Sequence, residues 1–390
     1  MRILLTSVAV PSHLWTMVVP TARLLRAAGH DVAIATGAAL ADDARIDVPV
    51  WPMTRMLSPE QLAADPDLAR EVGFPGAGEP WAPLSPGDAA GRLFAGRVAE
   101  LAATEMVEVT SDWRPDLVVR ECTEFGGLLL AERLGIPVVT LDNAPLATMR
   151  DPDILPWLNR SRAALGFPAA ADMAAVTDHP WVSWLAPGWL PPDQVPADYR
   201  HYRAPRVDAD ESLNPAIAEL TGEGPVVMAA FGTRPAAMLA NHQALLTRVI
   251  EALGNLPCTA VVSAPSWAGR LPKNVLLTGF LQQRLLLPAC DLFITHAGFG
   301  SVREALTAGV PLVAVPLDAE QPQNAARLTE LGVGVALDPA EATVESIERA
   351  CRAVFDGPHR ASARTWQRRT LGLPGPDAMV HDLLARALPR

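Results

Sequence analysis

Asp291 to Asn324 reads DLFITHAGFGSVREALTAGVPLVAVPLDAEQPQN. A short apolar run, Leu292 to Thr295, leads into His296, Gly298 and Gly300, and Ser301 stands at the start of a helix that continues to Ala308. An unbroken apolar run of this length suits a parallel strand buried on both faces. Glycines at such a strand-to-helix turn let the backbone come close to a ligand. The helix start adds N–H groups at the positive end of its dipole. His296 and Ser301 supply side-chain donors at the same place. The stretch therefore predicts a diphosphate cradle built without a metal ion. Beyond the next strand stand Asp318, Glu320 and Gln321, whose carboxylates and amide suit the hydroxyls of a sugar.

Two plainer readings compete for the same residues. In one, Ser301 is only an N-cap. In the other, Gly298-x-Gly300 followed by Asp318 is a nicotinamide-dinucleotide fingerprint, but Arg303 stands where close helix–sheet packing wants the third glycine.

The strand–helix alternation extends both ways from this stretch. In the second half, strands are predicted at Val226 to Ala230, Thr259 to Ser263, Leu292 to Thr295 and Leu312 to Val315. In the first, they are predicted at Ile3 to Val8, Val32 to Ala35, Asp116 to Val119 and Pro137 to Thr140. Helices are predicted over Trp15 to Ala28, stopped by Gly29, and over Phe125 to Leu134. Trp181 to Asp210, with Pro187, Pro191, Pro192, Pro196 and Pro205, reads as a linker or an irregular edge of the first domain.

A chain of 390 residues exceeds one ordinary core. The expected class is α/β, with two doubly wound Rossmann-like domains facing a central cleft at the carboxyl ends of their strands. Residues 1–205 form the N-terminal acceptor-binding domain, 206–222 a linker, and 223–390 the C-terminal nucleotide-sugar domain, with the last helix able to pack back on the first domain. The net charge of −11 argues against a nucleic-acid partner, which needs a positive surface. No run of about 18 apolar residues predicts a membrane span. MRILLTSVAV lacks the long apolar core and cleavage site of a signal peptide. The four cysteines, Cys122, Cys258, Cys290 and Cys351, are far apart, which predicts neither disulfides nor a zinc site and favours the cytoplasm.

Taken together, SHL…GHDV, RPDLVVRE, FGT, LQQRLLLPACDLFITHAGFGS and GVPLVAVPLDAEQPQNA run through nearly the whole chain. In these stretches the sequence resembles the GT-B glycosyltransferases of bacterial natural-product biosynthesis, of macrolide and enediyne type. The resemblance implies an inverting, metal-free transferase with no cofactor beyond its co-substrate, a thymidine- or uridine-diphosphate sugar. It implies that His296, Gly298, Gly300 and Ser301 contact the diphosphate and that Glu320 and Gln321 contact the sugar. Phe280 matches the position of a base-stacking tryptophan, and Gln283 matches the glutamine of a Pro-Gln pair whose proline is replaced by Gln282. Gly232 and Thr233 match a small-hydroxyl pair near the donor phosphates.

Displacing a nucleoside diphosphate from an anomeric carbon requires a base for the acceptor hydroxyl and stabilisation of the leaving anion. His13 lies in the loop after the first strand, titrates near neutral pH and occupies the family's base position. Its spacing to Gly29-His30 is one residue longer than in similar enzymes, which points to an insertion in that loop. A carboxylate fixing its tautomer is expected after the PDLVV strand, where Glu121 holds the position and Glu124 follows three residues on. Eight of the ten tryptophans fall in the first 189 residues, which suggests an aromatic pocket for an apolar aglycone, with Trp51 and Trp81 among its walls. Ordinary core packing is the competing reading for each. Two other functions share these features: a sugar-nucleotide epimerase on the same fold, and a non-catalytic partner of another glycosyltransferase. The oligomeric state is left open, a homodimer included.

Overall fold

A computed structural model of the chain describes residues 1–43, 45–72, 85–143, 149–205, 212–221, 224–232, 242–264, 267 and 269–387. The chain divides into two compact units, Met1–Pro205 with Pro374–Arg390, and Arg206–Leu373. The second unit thus ends at Leu373, and the last helix, Pro376–Ala387, belongs to the first. Its Met379 and Leu383 are buried among Ile3, Leu14, Val18 and Trp184 of that unit.

The first unit is built on a seven-stranded sheet: β1 (Arg2–Thr6), β2 (Asp31–Gly37), β3 (Val50–Met53), β4 (Leu117–Glu121), β5 (Val138–Leu141), β6 (Trp181–Ser183) and β7 (Tyr199–His201). Their order across the sheet is β3-β2-β1-β4-β5-β6-β7, and every pairing is parallel. Successive residues of the central strands face opposite sides, so Ile3 and Leu5 enter one hydrophobic layer while Leu4 enters the other. Both faces are covered, which is why these strands read as unbroken apolar runs.

The second unit repeats the plan with β8 (Val226–Ala230), β9 (Thr259–Ser263), β10 (Val275–Thr278), β11 (Leu292–Thr295), β12 (Leu312–Ala314) and β13 (Gly334–Ala336). Its order is β10-β9-β8-β11-β12-β13, again all parallel. In each sheet the strand order reverses direction beside the first strand, between β1 and β4 and between β8 and β11. Ligands of doubly wound sheets bind outside the carboxyl ends of the strands at such a switch point.

Two local predictions are refined. Of the two readings of the Pro- and Trp-rich stretch after Trp181, the edge of the first domain holds and the linker does not: Trp181–Ser183 and Tyr199–His201 extend the first sheet, with the prolines outside both strands. The helix expected from Trp15 to Ala28 is three pieces: a turn at Pro11–His13, a π-helical turn at Leu14–Val18, and an α-helix at Val19–Ala27. The π-helical turn places one more residue in the helix before Gly29 than α-helical turns alone would. No described helix is long and apolar enough to cross a membrane.

Candidate active site

At the switch point of the first sheet, β1 and β4 deliver their carboxyl ends side by side, with Thr6 paired to Arg120. His13 closes the short turn after β1 and stands against the end of β4. Its Nδ1 lies 3.2 Å from Oε2 of Glu121 and 3.0 Å from the Thr123 hydroxyl. The Thr123 hydroxyl also lies 2.7 Å from Oε1 of Glu121, and its backbone N–H donates to Oε2 at 2.9 Å. A single hydroxyl proton serves Thr123, so the consistent arrangement has Thr123 donate to Glu121 while Nδ1–H of His13 donates to both. That tautomer places the imidazole lone pair on Nε2.

The Glu121 side chain is fully buried and that of His13 is 20% exposed, so the pair faces solvent only through the imidazole. Burial pushes the Glu121 carboxyl up, but the charge and hydrogen bond of His13, with the bonds from Thr123, outweigh it and hold the group below the ordinary glutamate value. An ionised carboxylate is thus kept in the core, aimed at Nδ1. The main chain of His13 is anchored as well: its carbonyl accepts from Asn143 Nδ2 at 3.2 Å, and Asn143 Oδ1 accepts from Thr16 within the π-helical turn.

The two candidate glutamates have different partners. Glu124 does not meet His13; its Oε2 accepts from the Thr6 hydroxyl at 2.5 Å and from Gly127 N–H at 2.7 Å, at the start of the helix Gly126–Leu134. Burial pushes the Glu124 carboxyl up, the opposite direction from Glu121. Two neighbouring carboxyls are thus driven apart by their surroundings.

At the switch point of the second sheet, β11 ends at Thr295 and the helix Phe299–Ala308 starts with Gly298 as its N-cap. No side chain caps that start. Ser301 lies three residues inside, so the plain N-cap reading does not apply to it. Ala297 has a left-handed backbone (φ 64°), which costs an L-residue roughly 1 kcal/mol or more, and Asn324 Nδ2 holds its carbonyl at 2.9 Å. The geometry is tight: a Cβ built on Gly298 would come within 2.5 Å of His296 Nε2, and one on Gly232 within 3.0 Å. Gly232 also has φ 84°, so both glycines are needed where β8, β11 and the imidazole converge.

The remaining donor-side residues divide. Phe280 stands 63% exposed on the loop after β10, its carbonyl accepting from Thr278. Gln283 reaches the same helix, donating to Glu304 at 2.7 Å. Gln321 is buried; its Oε1 accepts from Leu317 and Asp318 N–H and its Nε2 donates to Asp318 at 2.6 Å. Its amide thus shapes the Leu317–Gln321 loop, beside half-buried Glu320 and Asp318. Thr233 and Trp81 lie outside the described residues. Among those described, no group of three His, Cys, Asp or Glu side chains is placed to hold a metal.

The tryptophans divide. Trp181, Trp184 and Trp189 are buried in the first unit, and half-buried Trp51 packs edge-on to Trp113 with centroids 4.9 Å apart against the layer holding Met106 and Val118.

Sequence reading missed Thr123 and Arg120. Threonine after a strand is commonplace and carries no signal. Arg120 does carry one, since a charged residue inside DLVVRE, a central buried strand, demands partners.

Comparison with known proteins identifies the family and the fold. Residues 247–386 match the family model described as erythromycin biosynthesis protein CIII-like, C-terminal domain. The chain is 31% identical to L-demethylnoviosyl transferase of Streptomyces niveus, over 99% of this chain and 98% of that one. Among solved structures, the glycosyltransferase SnogD from Streptomyces nogalater superposes with a TM-score of 0.77 at 24% identity, covering 100% of this chain and 99% of that one. SsfS6 of Streptomyces sp. SF2575, complexed with thymidine diphosphate, does so with a TM-score of 0.73 at 23% identity and 99% coverage of each. Two parallel-sheet units and this likeness over the whole length make the chain a member of the GT-B glycosyltransferases of bacterial antibiotic biosynthesis.

Proposed function

We propose that the protein transfers a deoxysugar from a thymidine- or uridine-diphosphate donor to a hydroxyl of an apolar natural-product aglycone, with inversion and without a metal. The observation that carries this reading is the His13 imidazole fixed through Nδ1 by the buried Glu121 at the switch point of the first sheet. In this reading Nε2 takes the acceptor proton as the hydroxyl oxygen attacks the anomeric carbon. The bond from that carbon to the diphosphate breaks, and Glu121 stabilises the imidazolium that forms. The leaving diphosphate carries its charge to the start of the helix Phe299–Ala308, where the N–H groups of Gly300 and Ser301, the Ser301 hydroxyl and His296 are the donors. The relative named for L-demethylnoviosyl transfer and the neighbour complexed with thymidine diphosphate support a thymidine-diphosphate deoxysugar over a uridine one.

Thermal unfolding with dTDP, UDP and NAD in separate samples tests the donor half. A nucleotide at about a hundred times its dissociation constant adds roughly 2.7 kcal/mol, a readily measured rise in Tm. The rise is expected with dTDP, less with UDP and not with NAD, and it should survive EDTA. A shift produced by NAD, or a dTDP shift abolished by EDTA, would refute the metal-free diphosphate cradle.

A further inference from the structure

The two groups that meet His13 Nδ1, the Glu121 carboxylate and the Thr123 hydroxyl, sit on a tight turn between β4 and the helix Gly126–Leu134. Arg120, the residue before Glu121, is fully buried. Its Nη1 donates to the carbonyls of Cys122 at 3.1 Å and Glu124 at 2.9 Å, the carbonyls on either side of Thr123. Its Nε donates at 3.0 Å to the Thr140 hydroxyl of β5, which lies 2.6 Å from His179 Nε2. The guanidinium also lies against the rings of Phe125 and Trp181, with 5.0 and 6.0 Å to their centroids. Among the described residues, Nη2 has no hydrogen-bond partner and no carboxylate is within ion-pair distance.

A buried arginine with an unused donor and no ion pair is a poor way to stabilise a core, where an apolar side chain of similar volume does as well or better. What the guanidinium does supply is geometry. A planar group fixed to β5 by one nitrogen and to two carbonyls by another sets the path of the main chain between them. We propose that Arg120 is a positioning residue for the reaction: it clamps the Cys122–Glu124 turn so that Thr123 and Glu121 present their oxygens to Nδ1 of His13 and hold one tautomer. This rests on the reading of His13 as the base. Arg120 touches neither His13 nor any reacting atom; it acts through the turn.

The test is the ¹⁵N spectrum of histidine-labelled protein, with the His13 signals assigned by their loss in His13→Ala. In the unaltered protein near pH 8, His13 is expected as a single tautomer, Nδ1 protonated and Nε2 bearing the lone pair. In Arg120→Met the two nitrogen shifts should move toward each other as the second tautomer appears. The transfer rate should fall by roughly 10- to 100-fold, the scale for a small misplacement of a reacting group. The dissociation constant for dTDP should stay within about twofold, since it is set in the second unit. A variant that merely unfolds more easily leaves the tautomer of its folded fraction unchanged, so unaltered His13 shifts in a folded Arg120→Met overturn the proposal. If Arg120→Met does not fold, Arg120→Lys, which keeps the charge but loses the planar fork, should show the same change, and unaltered shifts there overturn it equally. Loss of transfer in His13→Ala with normal shifts in the Arg120 variants defeats this inference alone. Full transfer in His13→Ala defeats the base reading itself.

Discussion

Replacing His13 by alanine is expected to lower sugar transfer by about 10²- to 10⁴-fold, the range a positioned general base contributes, while dTDP still binds. The separation follows from where the parts are built. His13, Glu121 and Thr123 belong to the first unit, whereas Gly232, His296 and the helix start at Gly298 belong to the second. The substitution also takes from Glu121 the His13 hydrogen bond, and the imidazolium charge of the protonated form, that hold its carboxyl low. The remaining donors, Thr123 and the Val8 N–H at 3.3 Å, still satisfy its oxygens, so the fold should persist at reduced stability. Single-turnover transfer at saturating donor, with dTDP binding measured by calorimetry, separates the effects. Equal loss of binding and transfer would make His13 a structural residue instead of a base.

Gly298→Ala is expected to strike the other half of the site. The new Cβ would stand 2.5 Å from His296 Nε2, a separation that real Cβ atoms essentially never show, and 3.1 Å from its Cε1. Either the imidazole swings away or the helix start retreats, and both remove donors from the proposed diphosphate site. Affinity for dTDP should drop by roughly 10- to 100-fold, about 1.4 to 2.7 kcal/mol. Gly298 has an ordinary extended φ of −57°, so the backbone tolerates alanine and the Tm without nucleotide should change little. Unchanged dTDP affinity would mean that the nucleotide sits elsewhere.

How far the sequence could be read depended on whether the determining contacts were local. The stretch from Leu292 to Ala308 was legible because strand, glycine turn and helix are encoded within a few residues of one another; β8, β9 and β11 fall where the apolar runs put them. The strands Trp181–Ser183 and Tyr199–His201 were missed because three-residue edge strands among prolines have no periodicity to read. The π-helical turn at Leu14–Val18 escaped for a related reason: its apolar residues fit an α-helical stripe about as well as a wider one. At the site, residue types pointed to His13 and to a carboxylate after β4. The choice of Glu121 over Glu124 depends on the turn between them, which is set by Arg120 and Thr140 on a neighbouring strand. The bonds of the Gln321 amide to the Leu317–Asp318 backbone and the burial of Trp181, Trp184 and Trp189 were not legible, because both depend on how the chain folds back on itself.

The anomeric configuration of the first product tests most directly whether one displacement assisted by His13 performs the transfer. A dTDP-deoxysugar of known anomer would be incubated with a panel of hydroxylated apolar acceptors, and the glycoside formed would be read by its anomeric proton coupling in NMR. A product of configuration opposite to the donor is expected. Retention would contradict a single attack by a base-activated hydroxyl, and with it the assignment of His13 as the base and Glu121 as its support.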